Sequence, residues 1–380
     1  MKEIKKVAVM GAGDMGHGIA QVALMNGYKV SLRDIEQKFI DKGVQGIKDS
    51  LEKFFVAKQK ISPEQRDEML KRLKTTVSIE EAVKDADFVI EAVPEVMDIK
   101  KSVFKDLDKF APKDAIFATN TSNMSITEIA GATKRPDKVV GMHFFNPAVR
   151  MKLVEVTKGK KTSEDTMQVT YDLATKMGKA PVRVEKDSPS FIYNRVNAPV
   201  MLLLELILEK KLVSPEEFDG AFKAVMPMAP YELLDFVGID VAYHSLKYLH
   251  DKLSPEYRST ALEQKVNTGN LGKKTGKGFY DWAAGRPTID TSKATKEFGV
   301  NDLIALQVNE ATKLLDEGVA KSAADIDNAI VNGGGGFGPF QLAKGIGYPE
   351  LVKRCEALAQ KFNIAVFKPT DTMKKGKIQV

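Results

Sequence analysis

A chain of 380 residues, 43% hydrophobic and 28% charged, exceeds one ordinary core and reads as two or three soluble domains. Its net charge of +6 is mild and spread along the chain, which excludes a nucleic-acid footprint. One cysteine, Cys355, excludes a disulfide framework, and with only four histidines (His17, His143, His244, His250) no metal site is expected. Met1 to Lys6 run directly into a strand without a signal segment, and the most apolar stretch, Ala198–Leu208, is broken by Glu205 and too short to span a bilayer. A cytoplasmic protein with no membrane partner is expected.

Taken in chain order, Val7–Met10, Tyr28–Arg33, Phe88–Ile90, Ile116–Ala118, Val139–His143 and Leu153–Val156 are short β-branched runs that read as strands. Stretches of helical period lie between most of them, including Ile35–Lys58 and Asp98–Phe110. That alternation predicts an α/β fold, a Rossmann-type doubly wound, mostly parallel sheet with helices on both faces. Pro181–Val184 reads as a last strand at an edge.

After Asp187-Ser188-Pro189 the strand signal stops, which predicts a domain of residues 1–187 followed by helices. Asn194–Lys210 reads as a long apolar helix, and Pro215–Val225 as a helix capped by Ser214. The helical half repeats itself. Leu206–Asp219 matches Leu314–Asp327, Ala229–Leu234 matches Gly338–Ala343, and Gly238 matches Gly347. Two all-α modules in tandem are therefore expected at 188–282 and 296–367, joined by a linker over Ala283–Thr295. The basic tail at 368–380 is expected to be poorly ordered.

Gly11-Ala12-Gly13-Asp14-Met15-Gly16 follows a strand and opens a helix, the context in which a glycine loop binds a dinucleotide. Gly11 permits the turn, Gly13 lets the backbone approach a pyrophosphate, and Gly16 lets helix and strand pack closely. The helix N-terminus would hold the anion through its free N–H groups. Asp34, 18 residues beyond Gly16, ends the second strand, where a carboxylate takes ribose hydroxyls and repels a 2′-phosphate. NAD is thus expected over NADP, with Arg33 next door as the one contrary residue.

Among the histidines, His143 ends a predicted strand in Gly141–Pro147, and Glu155 lies on the next one. A sheet dinucleotide site opens at the carboxyl ends of its strands, so His143 is the candidate acid/base for a carbonyl–alcohol interconversion. Glu155 would orient its ring. His17, His244 and His250 read as histidines satisfied by backbone.

At this point the residues match a family. The loop with its Gly-Ile-Ala-Gln extension, Asn120-Thr121-Ser122, Gly141–Pro147, Met151–Val156, Phe191–Arg195 and Leu271–Tyr280 occur in that order. From about Lys6 to Trp282 the chain closely resembles the L-3-hydroxyacyl-CoA dehydrogenases. The resemblance implies NAD-dependent oxidation of an L-3-hydroxyacyl-CoA, such as 3-hydroxybutyryl-CoA, to the 3-ketoacyl-CoA. It makes His143 the general base, Glu155 its orienting carboxylate, Ser122 the donor to the substrate's C3 oxygen and Asn194 the residue that positions the acyl group. Beyond the loop and Asp34, it adds Glu95, Lys100, Asn146 and Lys274 as NAD contacts. Ser50 matches a coenzyme A contact, and Lys58 is the nearest match to its offset lysine partner. The chain departs from the pattern where Ser190 replaces a usual glycine and where Met201–Leu204 replaces a more polar run.

Rival readings are a non-catalytic dinucleotide-binding relative, which would lack His143, Glu155 or Ser122, and another hydroxy-acid oxidoreductase on the same fold. The tandem modules also resemble those of multifunctional enzymes in which an enoyl-CoA hydratase is fused to the dehydrogenase, so the chain could be the dehydrogenase half of such a product. It carries no crotonase-like segment. Single-module relatives pair through this helical domain as homodimers, and a chain with both copies is expected to bury that face internally, as a monomer, or else to form a homodimer.

Overall fold

The structure, a computed structural model, describes residues 3–376 and residue 378. The chain divides into two compact units. The first runs through Phe191 and takes in Asn328–Gly336; the second holds Ile192–Asp327 and continues from Phe337.

The first unit is built on one eight-stranded sheet in the order β3-β2-β1-β4-β5-β6-β7-β8. Its strands are β1 (Lys6–Met10), β2 (Lys29–Arg33), β3 (Leu73–Thr76), β4 (Phe88–Glu91), β5 (Ile116–Thr119), β6 (Val139–Phe144), β7 (Leu153–Thr157) and β8 (Ala180–Val184). Every pairing is parallel except β6 with β7. Helices α1 (Asp14–Met25), α2 (Gln37–Leu51), α3 (Pro63–Lys71), α4 (Ile79–Val83), α5 (Met97–Phe110), α6 (Ile126–Ala130) and α7 (Glu164–Lys176) make the connections. Strands covered on both faces become continuous apolar runs, and β4 to β7 are buried at every residue. Val9, Ile19, Leu24, Leu32, Ile90 and Met142 are among the core side chains of this sheet.

The segment that follows the helical stretch Ile35–Lys58, where no strand is expected, departs from expectation. It ends in β3, which pairs with β2 at the edge of the sheet. Leu73-Lys74-Thr75-Thr76 is partly exposed throughout and so has no apolar alternation to announce it.

The second unit is helical: α8 (Tyr193–Glu209), α9 (Pro215–Phe222), α10 (Pro230–Val237), α11 (Ile239–Lys252), α12 (Thr260–Asn267), α13 (Val300–Asp316), the start of α14 (Ala323–Gly334), which from Asn328 on belongs to the first unit, α15 (Pro339–Ile346), α16 (Tyr348–Phe362) and α17 (Asp371–Lys375). α9 starts with a capping box, Ser214 and Glu217 each satisfying the other's backbone N–H, and Pro at the first helical position. The internal repeat corresponds to a repeated device. The Asp219 carboxylate accepts from the backbone N–H of Tyr231 and Glu232 at 2.8 Å each, capping α10. Asp327 accepts from Phe340 and Gln341 at 2.9 and 3.0 Å, capping α15.

The first part of the tail is ordered, contrary to expectation. Thr370 Oγ1 accepts from Met373 N at 3.0 Å to start α17, and Met373 is fully buried. Asn309 holds the approach, its side chain bonding Lys368 O and Thr370 N at 3.0 Å each. One apolar anchor and one amide outweigh the basic composition. No helix among the described residues is long and apolar enough to cross a membrane.

Candidate active site

The glycine loop joins β1 to α1 and is forced by close approach. Gly11 has φ +104°, and a Cβ there would lie 2.4 Å from Ala92 O; a Cβ on Gly16 would lie 1.8 Å from Gly11 O. Around Gly13, by contrast, a Cβ would meet nothing within 4 Å. The backbone there faces open space, a cradle where a phosphate can approach. The Asp34 carboxylate accepts from Ala12 N and Ile35 N at 2.7 Å each, tying the end of β2 to the loop. A crevice of about 1010 Å³ opens here, lined by Gly11–Met15, Asp34, Ile35, Lys42 and Ile99, among others. Anion-seeking N–H groups, an acid at the end of β2 and apolar walls fit a dinucleotide. Arg33 also lines this crevice, and its Nε donates to Val77 O, just beyond β3, at 3.0 Å.

The carboxyl end of β6 carries His143, directly opposite Glu155 in the antiparallel register with β7. His143 Nδ1 and Glu155 Oε2 are 2.8 Å apart, and both side chains are buried. The rings of Phe145 and Phe191 lie 4.3 and 6.0 Å from the imidazole, centre to centre. A carboxylate on Nδ1 fixes the tautomer with its proton there and leaves Nε2 as the acceptor. Asn120 Oδ1 accepts from Phe144 N at 2.8 Å, steadying the strand end. Asn146 is exposed and precedes a cis Pro147. The loop beyond is gripped by Lys179, whose Nζ donates to Ala148 O and, at 2.9 Å, to Met151 O. Burial pushes this ammonium down to about 8.

Ser122, just beyond β5, Glu95, beyond β4, and Lys100, in the first turn of α5, come together. Glu95 Oε1 accepts from Ser122 N at 3.0 Å and from the Thr121 hydroxyl, while Oε2 is 3.1 Å from Lys100 Nζ. Lys100 is only 1% exposed and also donates to Glu91 Oε1 at 2.8 Å. Burial acts to lower this ammonium's pKa, but Glu91 and Glu95 outweigh it and hold it above its usual range. The sequence reading missed Glu91. Its only signal was an acid ending an otherwise apolar strand.

The remaining expected residues stand on other elements. Ser50 sits in the last turn of α2 with a buried hydroxyl that has no hydrogen-bond partner. Lys58 lies beyond it, its Nζ 5.7 Å from the centre of the Phe54 ring. Asn194 and Lys274 belong to the second unit: Asn194 is half-buried in the first turn of α8, and Lys274 is ion-paired with Asp240. His17 and His250 bond backbone carbonyls, of Gly13 and Tyr257, at 2.9 and 3.0 Å.

Similarity to known proteins agrees with this geometry. The chain matches the 3-hydroxyacyl-CoA dehydrogenase NAD binding domain over residues 6–188 and the C-terminal domain of that family over 191–282. A 3-hydroxybutyryl-CoA dehydrogenase of Clostridioides difficile is 42% identical over 282 residues, covering 73% of this chain and 99% of the relative. The mitochondrial hydroxyacyl-coenzyme A dehydrogenase of Sus scrofa is 41% identical over 290 residues, 73% of this chain and 91% of the relative. The crystal structure of 3-hydroxybutyryl-CoA dehydrogenase from Escherichia coli superposes with a TM-score of 0.90 at 28% identity, covering 99% of this chain and 98% of that one. The loop, the acid at the end of β2 and the His143–Glu155 pair thus stand within a chain that belongs to the 3-hydroxyacyl-CoA dehydrogenase family, an NAD-dependent oxidoreductase.

Proposed function

We propose that the chain interconverts short L-3-hydroxyacyl-CoA and 3-ketoacyl-CoA thioesters, with His143 as the general base. The observation that carries this is the buried His143–Glu155 pair at the carboxyl end of the same sheet that bears the dinucleotide loop. NAD, held by residues 11–16 and Asp34, supplies the hydride acceptor. Nε2 of His143 takes the C3 hydroxyl proton as the carbonyl forms, and Glu155 stabilises the imidazolium. The Ser122 hydroxyl donates to the C3 oxygen where charge develops. Asn194 positions the acyl group, and Glu95, Lys100, Asn146 and Lys274 serve the cofactor, Lys100 through its two carboxylates. Ser50 and Lys58 are the coenzyme A contacts in this reading.

The short-chain preference is supported by the Clostridioides difficile and Escherichia coli relatives, whose names specify 3-hydroxybutyryl-CoA. NADH oxidation should be measured with acetoacetyl-CoA, longer 3-ketoacyl-CoAs and free ketoacids. Acetoacetyl-CoA is expected to give the highest kcat/KM, and turnover of free ketoacids alone would overturn the reading.

Both helical copies, 188–282 and 296–367, lie in this one chain, and we read them as an internal pair that leaves the protein a monomer. Support comes from α8 and α13, where buried Arg195 is paired with Glu310 and, at 2.9 Å, with Glu317, and Gln307 donates to Asn197 at 2.9 Å. Sedimentation is expected to give one chain per particle; an obligate dimer would count against it. A cytoplasmic location is supported by the single, buried Cys355, and cell fractionation tests it.

A further inference from the structure

We propose that Glu91 is a positioning residue for Ser122 and Glu95, gripping the Ser122 turn by two separate arms. Glu91 ends β4 and is directly opposite Thr119, which ends β5. The first arm runs through Thr119. Its hydroxyl donates to Glu91 Oε2 at 2.6 Å and accepts from Thr121 N at 3.3 Å. The second runs through Lys100. Its Nζ donates to Glu91 Oε1 at 2.8 Å and lies 3.1 Å from Glu95 Oε2, and Glu95 Oε1 accepts from Ser122 N at 3.0 Å. Glu91 Oε1 also accepts from Val93 N at 2.7 Å, fixing the turn that carries Ala92, the residue Gly11 abuts.

Glu91 is fully buried, so its charge is tolerated only because Lys100, Thr119 and Val93 satisfy it. Lys100 is likewise held by Glu91, Glu95 and, at 3.4 Å, Val93 O, which occupies its three donors. The ammonium is therefore spent inside the protein, and its effect on a ligand passes through Glu95. One carboxylate thus sets the turn bearing the proposed oxygen donor and the proposed cofactor contact together. Sites of this kind lose activity steeply when their supporting shell loosens.

The inference rests on the proposed function, and the test separates the two. Glu91→Gln, Lys100→Met, the double variant and Thr119→Val are assayed for Tm and for kcat and KM with acetoacetyl-CoA, beside His143→Gln. A misplaced donor should lower kcat on the order of 100-fold with little change in KM. Each single charge removal should also lower Tm. The double variant, with neither charge left in the pair, should recover Tm but not kcat. Recovery of both would make Glu91 merely structural and overturn the proposal. Thr119→Val, nearly isosteric, should fold and lose kcat through one arm; an unchanged kcat there overturns it as well. Unimpaired turnover by His143→Gln would instead refute the proposed function and leave the geometry of Glu91 unexplained by it.

Discussion

His143 and Glu155 face each other across the single antiparallel pairing in the sheet, and the strand register brings Nδ1 within 2.8 Å of Oε2. Two consequences follow for catalysis. His143→Gln removes the proposed base and should lower kcat by about 10²–10⁴-fold, the usual worth of a positioned acid/base. Glu155→Gln keeps the shape but lets an amide N–H bond Nδ1. The ring proton then moves to Nε2, the atom that must accept, so a loss of similar size is expected. NADH binding, followed by its fluorescence, should survive both changes. A Glu155→Gln enzyme with near-normal kcat would show that the carboxylate does not set the tautomer.

The pairing was legible in the sequence because both residues sit in apolar β-branched runs and few other histidines compete. Strands β1, β4 and β5 were legible for the same reason, since covering both faces of a parallel sheet demands apolar runs. β3 was not, because an edge strand can be polar and partly exposed. Lys100 was found by motif alone, and motif said nothing of its burial between Glu91 and Glu95. Glu91 ends β4, Glu95 lies in the turn beyond it and Lys100 stands in the first turn of α5, so it is the fold of this stretch that brings the three together. Tertiary placement is also why Asp34 proved to tie down Ala12 N.

Two glycines of the loop should fail in different ways. A Cβ at Gly16 would lie 1.8 Å from a backbone oxygen, so Gly16→Ala cannot be accommodated without moving β1 from α1. It should lower Tm sharply. Gly13 has open space around it, so Gly13→Val should fold with little loss of Tm while filling the phosphate approach. The expected result is an NADH Kd raised at least tenfold. A Gly13→Val protein that binds NADH normally would move the pyrophosphate elsewhere.

Lys179 gives a pH signature. Buried against the carbonyls of Ala148 and Met151, its ammonium is pushed down to about 8. An unfolded lysine keeps its proton to about 10.4. Between those values the unfolded chain binds more protons, so this residue's contribution to stability rises with pH; below about 8 both states are protonated and it is flat. Lys179→Met removes the titration. The Tm of the unaltered protein minus that of Lys179→Met should be constant below about pH 8 and increase toward pH 10. A difference that stays flat over that window would mean that burial does not depress the ammonium.

Ser190 occupies a backbone position that suits glycine. Ser190 and Phe191 have φ of +65° and +56°, two successive non-glycine residues in the left-handed region. Such a conformation costs about 1–2 kcal/mol per residue for a side chain with a Cβ. Ser190 Oγ recovers part of this by bonding Asn123 Oδ1 at 3.3 Å. Ser190→Gly therefore trades a long hydrogen bond and extra unfolded-chain entropy against released strain, and the net change is small. Ser190→Ala loses the bond and keeps the strain. The two variants differ chiefly in the backbone cost, so the glycine protein should be about 1 kcal/mol more stable than the alanine protein in urea denaturation. Equal stabilities would mean that the turn into Phe191, whose ring packs beside His143, stores no strain at Ser190.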